Sequence, residues 1–286
     1  MNVIDVDGVK LNYVESGTGP TVILIHGVLQ DYRAWGAQVE VLSKRFRTIS
    51  YSRRCSFPNQ NRDFANSSVE NNVKDLVGLI ARTGGGPVHL IGQSYGGAVA
   101  ALCALKQPGL VRSLVLIEPH LVTMLIRDSH SAAQNLSLLL RKPSAAMSAR
   151  KILKKAQEPA LRELDRKNGE KALGLILDGF QDRQNAIEQY PETARAMMRD
   201  NAETIREVTT KPPLFTKEDA KRMSQPTLLL TGEWSIKMYK AIVEELHKTT
   251  PNNQMVTIRN AWHMSHIENP EGCNEVILKF LTEHAA

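Results

Sequence analysis

The sequence predicts an α/β protein: a mostly parallel central sheet with helices on both faces, interrupted by one helical insertion. Three observations predict it. Continuous apolar runs such as Thr21-Val22-Ile23-Leu24-Ile25 and Ser113-Leu114-Val115-Leu116-Ile117 suit strands buried on both faces. Segments of helical period alternate with those runs, the order that produces a parallel sheet covered on both sides. Between Ile117 and Thr227 the alternation stops, and roughly a hundred residues read as helix and loop alone, far beyond an ordinary connection.

The chain opens on a strand that ends in an Asp7-Gly8 turn. Lys10 to Ser16 alternates loosely before Gly17-Thr18-Gly19-Pro20, so the first two strands read as a hairpin. Thr21–Ile25 follows as a buried strand ending in His26-Gly27-Val28. Ala34 to Lys44 has helical spacing, with Trp35, Val39 and Leu42 at i, i+4 and i+7. Phe46 to Tyr51 is a strand. Val69 to Arg82 is a helix with Val73, Leu76, Val77 and Ile80 on one face, stopped by Gly84-Gly85-Gly86-Pro87. Val88-His89-Leu90-Ile91 is a strand, Gly96 to Gln107 a helix and Ser113–Ile117 a strand. Within the long segment, Ala149, Ile152, Leu153 and Ala156 form one helical stripe; Ala194, Met198, Ala202, Ile205 and Val208 form another. Strands at Thr227–Thr231 and Met255–Ile258, with helices at Ile236–Lys248 and Glu275–His284, complete the chain. The expected division is a core of residues 1–119 and 223–286 with a helical cap of residues 120–222. Ligands of open α/β sheets bind at the carboxyl edge of the strands, so the insertion should cover the site. Met197 and Met198 would line it or, the stronger reading, pack the stripe.

Composition narrows the class. The chain has 286 residues, 42% hydrophobic and 23% charged, as expected of a globular protein. No apolar run approaches the ~20 residues of a membrane helix. The N-terminus lacks a basic segment followed by an apolar one, so no signal peptide is read and a cytoplasmic location is expected. Cys55, Cys103 and Cys273 are few and widely spaced, against a disulfide framework and against zinc. The net charge is +6, unevenly spread. Arg141 to Lys171 holds ten Lys/Arg against four Asp/Glu, while Ala172 to Thr210 holds four against seven. Such a run could attract anions or a membrane surface; a solvated helix face beside an acidic neighbour is the simpler reading. Nucleic-acid binding lacks a motif, and Gly84-Gly85-Gly86 lacks the Lys-Ser/Thr of a phosphate loop.

The chemistry centres on Gly92-Gln93-Ser94-Tyr95-Gly96-Gly97, a G-x-S-x-G sequence between a strand and a helix. That is the pattern of a nucleophile elbow. The glycines permit a sharp turn that lifts the Ser94 hydroxyl above the sheet. The helix N-terminus behind it favours negative charge, which acyl transfer generates as an oxyanion. A serine nucleophile needs a base, and the base an orienting acid. Beyond the last strand, Asn260-Ala261-Trp262-His263-Met264-Ser265-His266-Ile267-Glu268-Asn269-Pro270 supplies two histidines.

With these motifs in this order, the chain resembles the α/β-hydrolase family over everything but the insertion. In that family the last strand leads into a loop of the form GxGHxxHxExP whose first histidine is the base. The resemblance implies His263 as base and His266 as a structural neighbour; Asn260 and Trp262 stand where glycines are common. The family's acid usually follows the penultimate strand in a pattern like GExD, but here Gly232-Glu233-Trp234-Ser235 has serine in that place. Some members carry a glutamate at the end of the strand after the nucleophile helix, where this chain has Glu118. Glu118 is the preferred acid and Glu233 the alternative. The resemblance also implies an oxyanion hole from the backbone N–H groups of Val28 and Tyr95. Where the family commonly has DxRGxGxS, this chain has Tyr51-Ser52-Arg53-Arg54-Cys55-Ser56-Phe57-Pro58, without the glycines, so that loop should take another path.

The expected function is therefore a serine hydrolase, without cofactor or metal, that cleaves an ester or lactone of a medium-sized, mostly apolar small molecule through an acyl-enzyme. A C–C hydrolase with the same triad, a ligand-binding receptor, or a non-hydrolytic enzyme on this fold are the alternatives. A serine in the elbow disfavours epoxide hydrolysis and dehalogenation, which use aspartate on this fold. The expected partner is the substrate alone, with no membrane span and with homo-oligomerisation open.

Overall fold

A computed structural model describes residues 1–128, 131–209 and 212–285. The chain begins as the expected hairpin: β1 (Asn2–Val6) pairs antiparallel with β2 (Val9–Ser16). Asp7 and Gly8 both take positive φ, 51° and 88°, the backbone that tight hairpin turns require. β3 (Thr21–Ile25) is followed by a 3-10 turn at Tyr32–Trp35 that runs into α1 (Gly36–Leu42), then by β4 (Arg47–Tyr51). α2 (Val69–Arg82) starts where the Ser68 side chain accepts from Asn71 N, and beyond its end Gly84 and Gly85 take φ of 118° and 78°. β5 (Val88–Gln93), α3 (Tyr95–Lys106) and β6 (Val111–Ile117) follow.

The connection from β6 to the next strand is helical among its described residues, as its sequence predicts. It contains α4 (Ala132–Arg141), α5 (Pro143–Ile152), α6 (Glu158–Asp165), α7 (Gly169–Gln181), α8 (Glu192–Asp200) and α9 (Lys217–Arg222). β7 (Thr227–Gly232), α10 (Lys237–Thr249), β8 (Asn253–Ile258), a short α11 (Ser265–Glu268) and α12 (Pro270–Glu283) complete the chain. α12 begins five residues before the Glu275 start read from the pattern. Pro270 fits a first helical turn, where its missing N–H costs nothing, and the Asn269 side chain caps Gly272 N at 2.9 Å.

The sheet has eight strands in the order β1-β2-β4-β3-β5-β6-β7-β8. β2 pairs antiparallel with β1 and β4; from β4 to β8 every pairing is parallel. Successive strand residues point to opposite faces, and the core divides accordingly. Ile23, Leu90, Leu114, Leu116 and Leu229 join one apolar cluster with side chains of α2, α3 and α10. Val22, Leu24, Ile91, Val115, Leu228 and Leu230 join another with Leu42 of α1 and Ile277, Phe280 and Leu281 of α12. α3 is buried from Tyr95 through Ala104, as its Ala- and Leu-rich sequence allows.

Two details of the helical segment depart from the pattern. α5 passes through a widened π turn at Leu153–Gln157, so Ile152 and Ala156 stay buried while Leu153 turns outward, 41% exposed. The second stripe is buried throughout, but its helix gives way from α8 to a 3-10 stretch at Ala202–Thr209. Met197 and Met198 are core residues. No helix among the described residues is long and apolar enough to cross a membrane.

Candidate active site

The turn between β5 and α3 is built by steric necessity. A Cβ on Gly92 would lie 2.5 Å from Gly96 O and 2.8 Å from Gly97 Cα; one on Gly96 would lie 2.2 Å from Ile25 O and 2.5 Å from His26 O. Neither position tolerates a side chain. Ser94, between them, has φ 50° and ψ −116°, a conformation unusual outside glycine and one that concentrates at functional sites. The strained turn is held from three sides. Ser94 N donates to Ile117 O at 2.9 Å, and Ser94 O accepts from Ala98 N at 3.1 Å and His120 N at 2.8 Å. Gly27 packs against the same point: a Cβ there would lie 3.2 Å from Ser94 Cβ. The His26-Gly27-Val28 backbone therefore passes beside Ser94, with Val28 and Tyr95 both buried.

β6 brings the carboxylate. Glu118 follows its last residue in a left-handed conformation, φ 42°, and is fully buried. Glu118 Oε1 accepts from Thr231 Oγ1 at 2.7 Å and Gly232 N at 2.9 Å, both at the end of the neighbouring β7. Oε2 lies 2.7 Å from His263 Nδ1, and His263 is 2% exposed. An Nδ1–H donating to Glu118 satisfies this contact and leaves Nε2 with its lone pair. Among the described residues, neither His263 Nε2 nor Ser94 Oγ has a hydrogen-bond partner. Gln93, preceding Ser94, donates from Nε2 to His263 O at 3.1 Å. Glu118 and His263 are thus paired, and Gln93 ties the His263 backbone to the Ser94 turn.

The rival carboxylate lies elsewhere. Glu233 is exposed and accepts from Asn260 N at 2.9 Å. Ser235, in the usual acid position, is buried. Asn260 adopts φ 51°, the conformation for which glycine is the usual choice and which asparagine tolerates best among the other residues. His266 is buried against Trp35, ring centroids 4.4 Å apart, with burial and then the neighbouring His263 pushing its pKa down to about 3. The loop after β4 reaches its glycine-free path with no positive φ from Ser52 to Pro58 and a cis Phe57–Pro58 bond. Arg53 from that loop is buried, pairs with Glu207 at 2.6 Å, donates to His26 O at 3.0 Å, and lies over the Tyr95 ring at 4.6 Å.

Three site residues carry no sequence signal. Tyr239, in the first turn of α10, is fully buried and stacks on His263, with centroids 4.0 Å apart and planes 19° apart. Its hydroxyl lies 3.2 Å from His120 Nδ1 and neighbours the Ser94 hydroxyl without completing a hydrogen bond to it. Burial raises the phenol pKa well above its usual value. The same burial, helped by His263, lowers His120 to about 4. Phe180 of α7 packs on the imidazole at 4.9 Å. Nothing in their spacing announces these residues, because each reaches the site from a different element.

Glu268 steadies the His263 loop. It accepts from Trp262 N at 2.7 Å, Tyr190 Oη at 2.5 Å and Gln181 Nε2 at 3.2 Å, joining the loop to α7. Burial lifts its carboxyl to about 7, with those donors acting the other way. All three cysteines are buried and free. Among the described residues no group of three or more His, Cys, Asp or Glu could hold a metal ion.

Comparison with known proteins bears on the family and the fold. The model of the Alpha/beta hydrolase family matches residues 22–276. The sn-1-specific diacylglycerol lipase ABHD11 of Mus musculus is 26% identical over 269 residues, covering 92% of this chain and 81% of its own. The 2-(acetamidomethylene)succinate hydrolase of Mesorhizobium japonicum is 24% identical, covering 97% and 94%. A thermophilic esterase from Thermogutta terrifontis shares the fold with a TM-score of 0.73 at 23% identity, over 99% of this chain and 97% of its own.

Proposed function

Since this chain belongs to the alpha/beta hydrolase family, we propose that it is a serine hydrolase that cleaves an ester or lactone of a medium-sized, mostly apolar small molecule. Ser94 Oγ attacks the carbonyl carbon while His263 Nε2 accepts its proton. The N–H groups of Val28 and Tyr95 hold the oxyanion. His263 then returns the proton to the leaving oxygen, and water activated by the same nitrogen cleaves the acyl-enzyme. Glu118 keeps the imidazole in the tautomer that leaves Nε2 basic and stabilises it when charged.

The observation that carries the reading is the 2.7 Å contact from Glu118 Oε2 to His263 Nδ1, buried at both ends, beside a serine in a strained elbow. The same reading assigns residues 120–222 as a cap over a core of 1–119 and 223–286. Its support is contact between the two parts: Phe180 on His263, Leu29 N to Thr204 Oγ1 at 2.8 Å, and the Arg53–Glu207 pair. The preference for an apolar acyl or alkyl group rests on Phe180 and Tyr239, the rings that flank His263.

Labelling with a fluorophosphonate, read by intact mass, tests the roles. Wild type should take one label and Ser94→Ala none. Glu118→Gln should label slower by on the order of ten-thousandfold, as loss of a triad carboxylate implies, and Glu233→Gln should match wild type. Labelling of Ser94→Ala, or a slow Glu233→Gln with a fast Glu118→Gln, would defeat the assignment. A panel of aryl esters and lactones in heavy-oxygen water then separates hydrolysis, which places the label in the acid product, from acyl transfer.

A further inference from the structure

α4 wears its amphipathic face inside out. At 3.6 residues per turn, Leu136, Leu139 and Leu140 share one side with Ala132 and Ala133. Leu138 alone is buried on the opposite side. The three leucines are 57%, 45% and 75% exposed. α5, packed beside α4, exposes Met147 at 68%, on a face shared with Arg150, Lys151 and Lys154. Leu153, turned outward by the π turn, adds to it. An apolar surface of this kind on a folded protein marks a place where something docks.

The charge around it identifies the occupant. From Ser131 to Gln157 the chain carries Arg141, Lys142, Arg150, Lys151, Lys154 and Lys155 and no aspartate or glutamate. All but Lys142 are exposed. Among the described residues, four acids reach this stretch from outside: Glu244 and Glu245 to Lys142, Asp182 to Lys151 and Glu158 to Lys154. Arg141, Arg150 and Lys155 are beyond those pairs. Leucines on a helix face bordered by lysines and arginines match the boundary of a bilayer with anionic headgroups. A second copy of the chain fits poorly, because a two-fold interface places the same patch on itself and would set these cations against their own copies.

We propose that α4 and the exposed face of α5 form a docking surface for an anionic lipid bilayer, the leucines entering the headgroup region and the basic residues binding lipid phosphates. The inference goes beyond the hydrolase reading and stands without it. It has a structural consequence for the site. α5 holds α10 through Ser148 Oγ, which accepts from Met238 N at 3.3 Å, and the next residue is the Tyr239 that covers His263. Docking therefore sets the candidate site close to the lipid boundary.

The test is co-sedimentation of the full chain with vesicles of phosphatidylcholine alone or mixed with phosphatidylglycerol. Wild type should bind the mixed vesicles at about 0.1 M salt and release as salt rises toward about 1 M, where the Debye length shrinks to about 3 Å. It should leave pure phosphatidylcholine largely unbound. Leu136→Ser/Leu140→Ser and, separately, Arg150→Gln/Lys154→Gln/Lys155→Gln should each weaken binding about tenfold or more. Lys44→Gln/Lys106→Gln, which removes exposed charge elsewhere, should bind as wild type. The substituted side chains are exposed, so thermal melts should be unchanged. Failure of wild type to bind the mixed vesicles at low salt overturns the proposal, as does equal loss in the Lys44/Lys106 variant. A dimer in analytical ultracentrifugation that Leu136→Ser/Leu140→Ser dissolves would assign the surface to a second copy instead.

Discussion

Glu118 is a buried carboxyl group held by three donors, one of them the candidate base. Thr231 Oγ1 and Gly232 N occupy one carboxylate oxygen and His263 Nδ1 the other. A buried carboxyl group without such partners is costly, and these contacts fix the orientation in which Glu118 meets the imidazole. In the proposed mechanism Thr231 is thus a positioning residue acting through Glu118. Thr231→Val keeps the shape and deletes a hydrogen bond to a charged group, worth about 1.5–3 kcal/mol. The fluorophosphonate labelling rate, read well below the melt, should drop about tenfold or more, and the melt itself should fall by about 3–10 °C. An unaltered rate would remove Thr231 from the proposed apparatus. Threonine at a strand end is too common to be singled out in sequence. Its importance comes only from facing Glu118 across the β6–β7 pairing.

At the scale of elements, the β5–α3 turn was legible because its residues are contiguous and its glycines stand out in the sequence, although part of what requires Gly96 comes from β3. Gly92 and Gly96 are each excluded from bearing a Cβ by backbone atoms that cannot withdraw. Gly96→Ala would press a methyl into Ile25 O and His26 O, so β3 and α3 must separate. We expect destabilisation of several kcal/mol, at the severe end for a single substitution, read as a lower urea midpoint; a wild-type midpoint would contradict the packing described. The His263 loop was legible in part. Its two histidines stand out in the sequence, but its path was left open there, because whether asparagine at position 260 adopts φ 51° depends on the loop's ends being pinned. The early start of α12 at Pro270 and the outward turn of Leu153 lay beyond a periodicity reading, since proline at a first turn and a π turn both break the period being counted.

For the whole molecule, buried histidines govern the response to acid. His89 and His120 are lowered to about 4 and His266 to about 3, and His26 is lowered well below its usual 6.5, each chiefly by burial. Between those values and 6.5 the unfolded chain binds more protons than the folded one, so stability falls as pH falls. Glu268, raised from 4.5 to about 7, acts oppositely: its contribution is full below 4.5 and is lost as pH rises through about 7. Asp75 is raised in the same sense. Each group contributes about 1.4 kcal/mol per pH unit at most, so four histidines outweigh two carboxylates. The urea midpoint should fall steadily from pH 6.5 toward 4; a flat profile would mean that these histidines are protonated in the fold.

The sequence by itself determined the alternation of strand and helix, the hairpin at Asp7-Gly8, the elbow around Ser94 and the order of serine before histidine. These rest on short-range rules: side-chain period, turn chemistry and the absence of a Cβ. It left open which of Glu118 and Glu233 faces His263, and it was silent on Tyr239, Phe180 and Thr231. Tertiary structure decided those, because Glu118 and His263 are 145 residues apart. Only the parallel register of β5 through β8 and the packing of α7 and α10 bring them to one point, and no local pattern in the chain encodes a meeting at that distance.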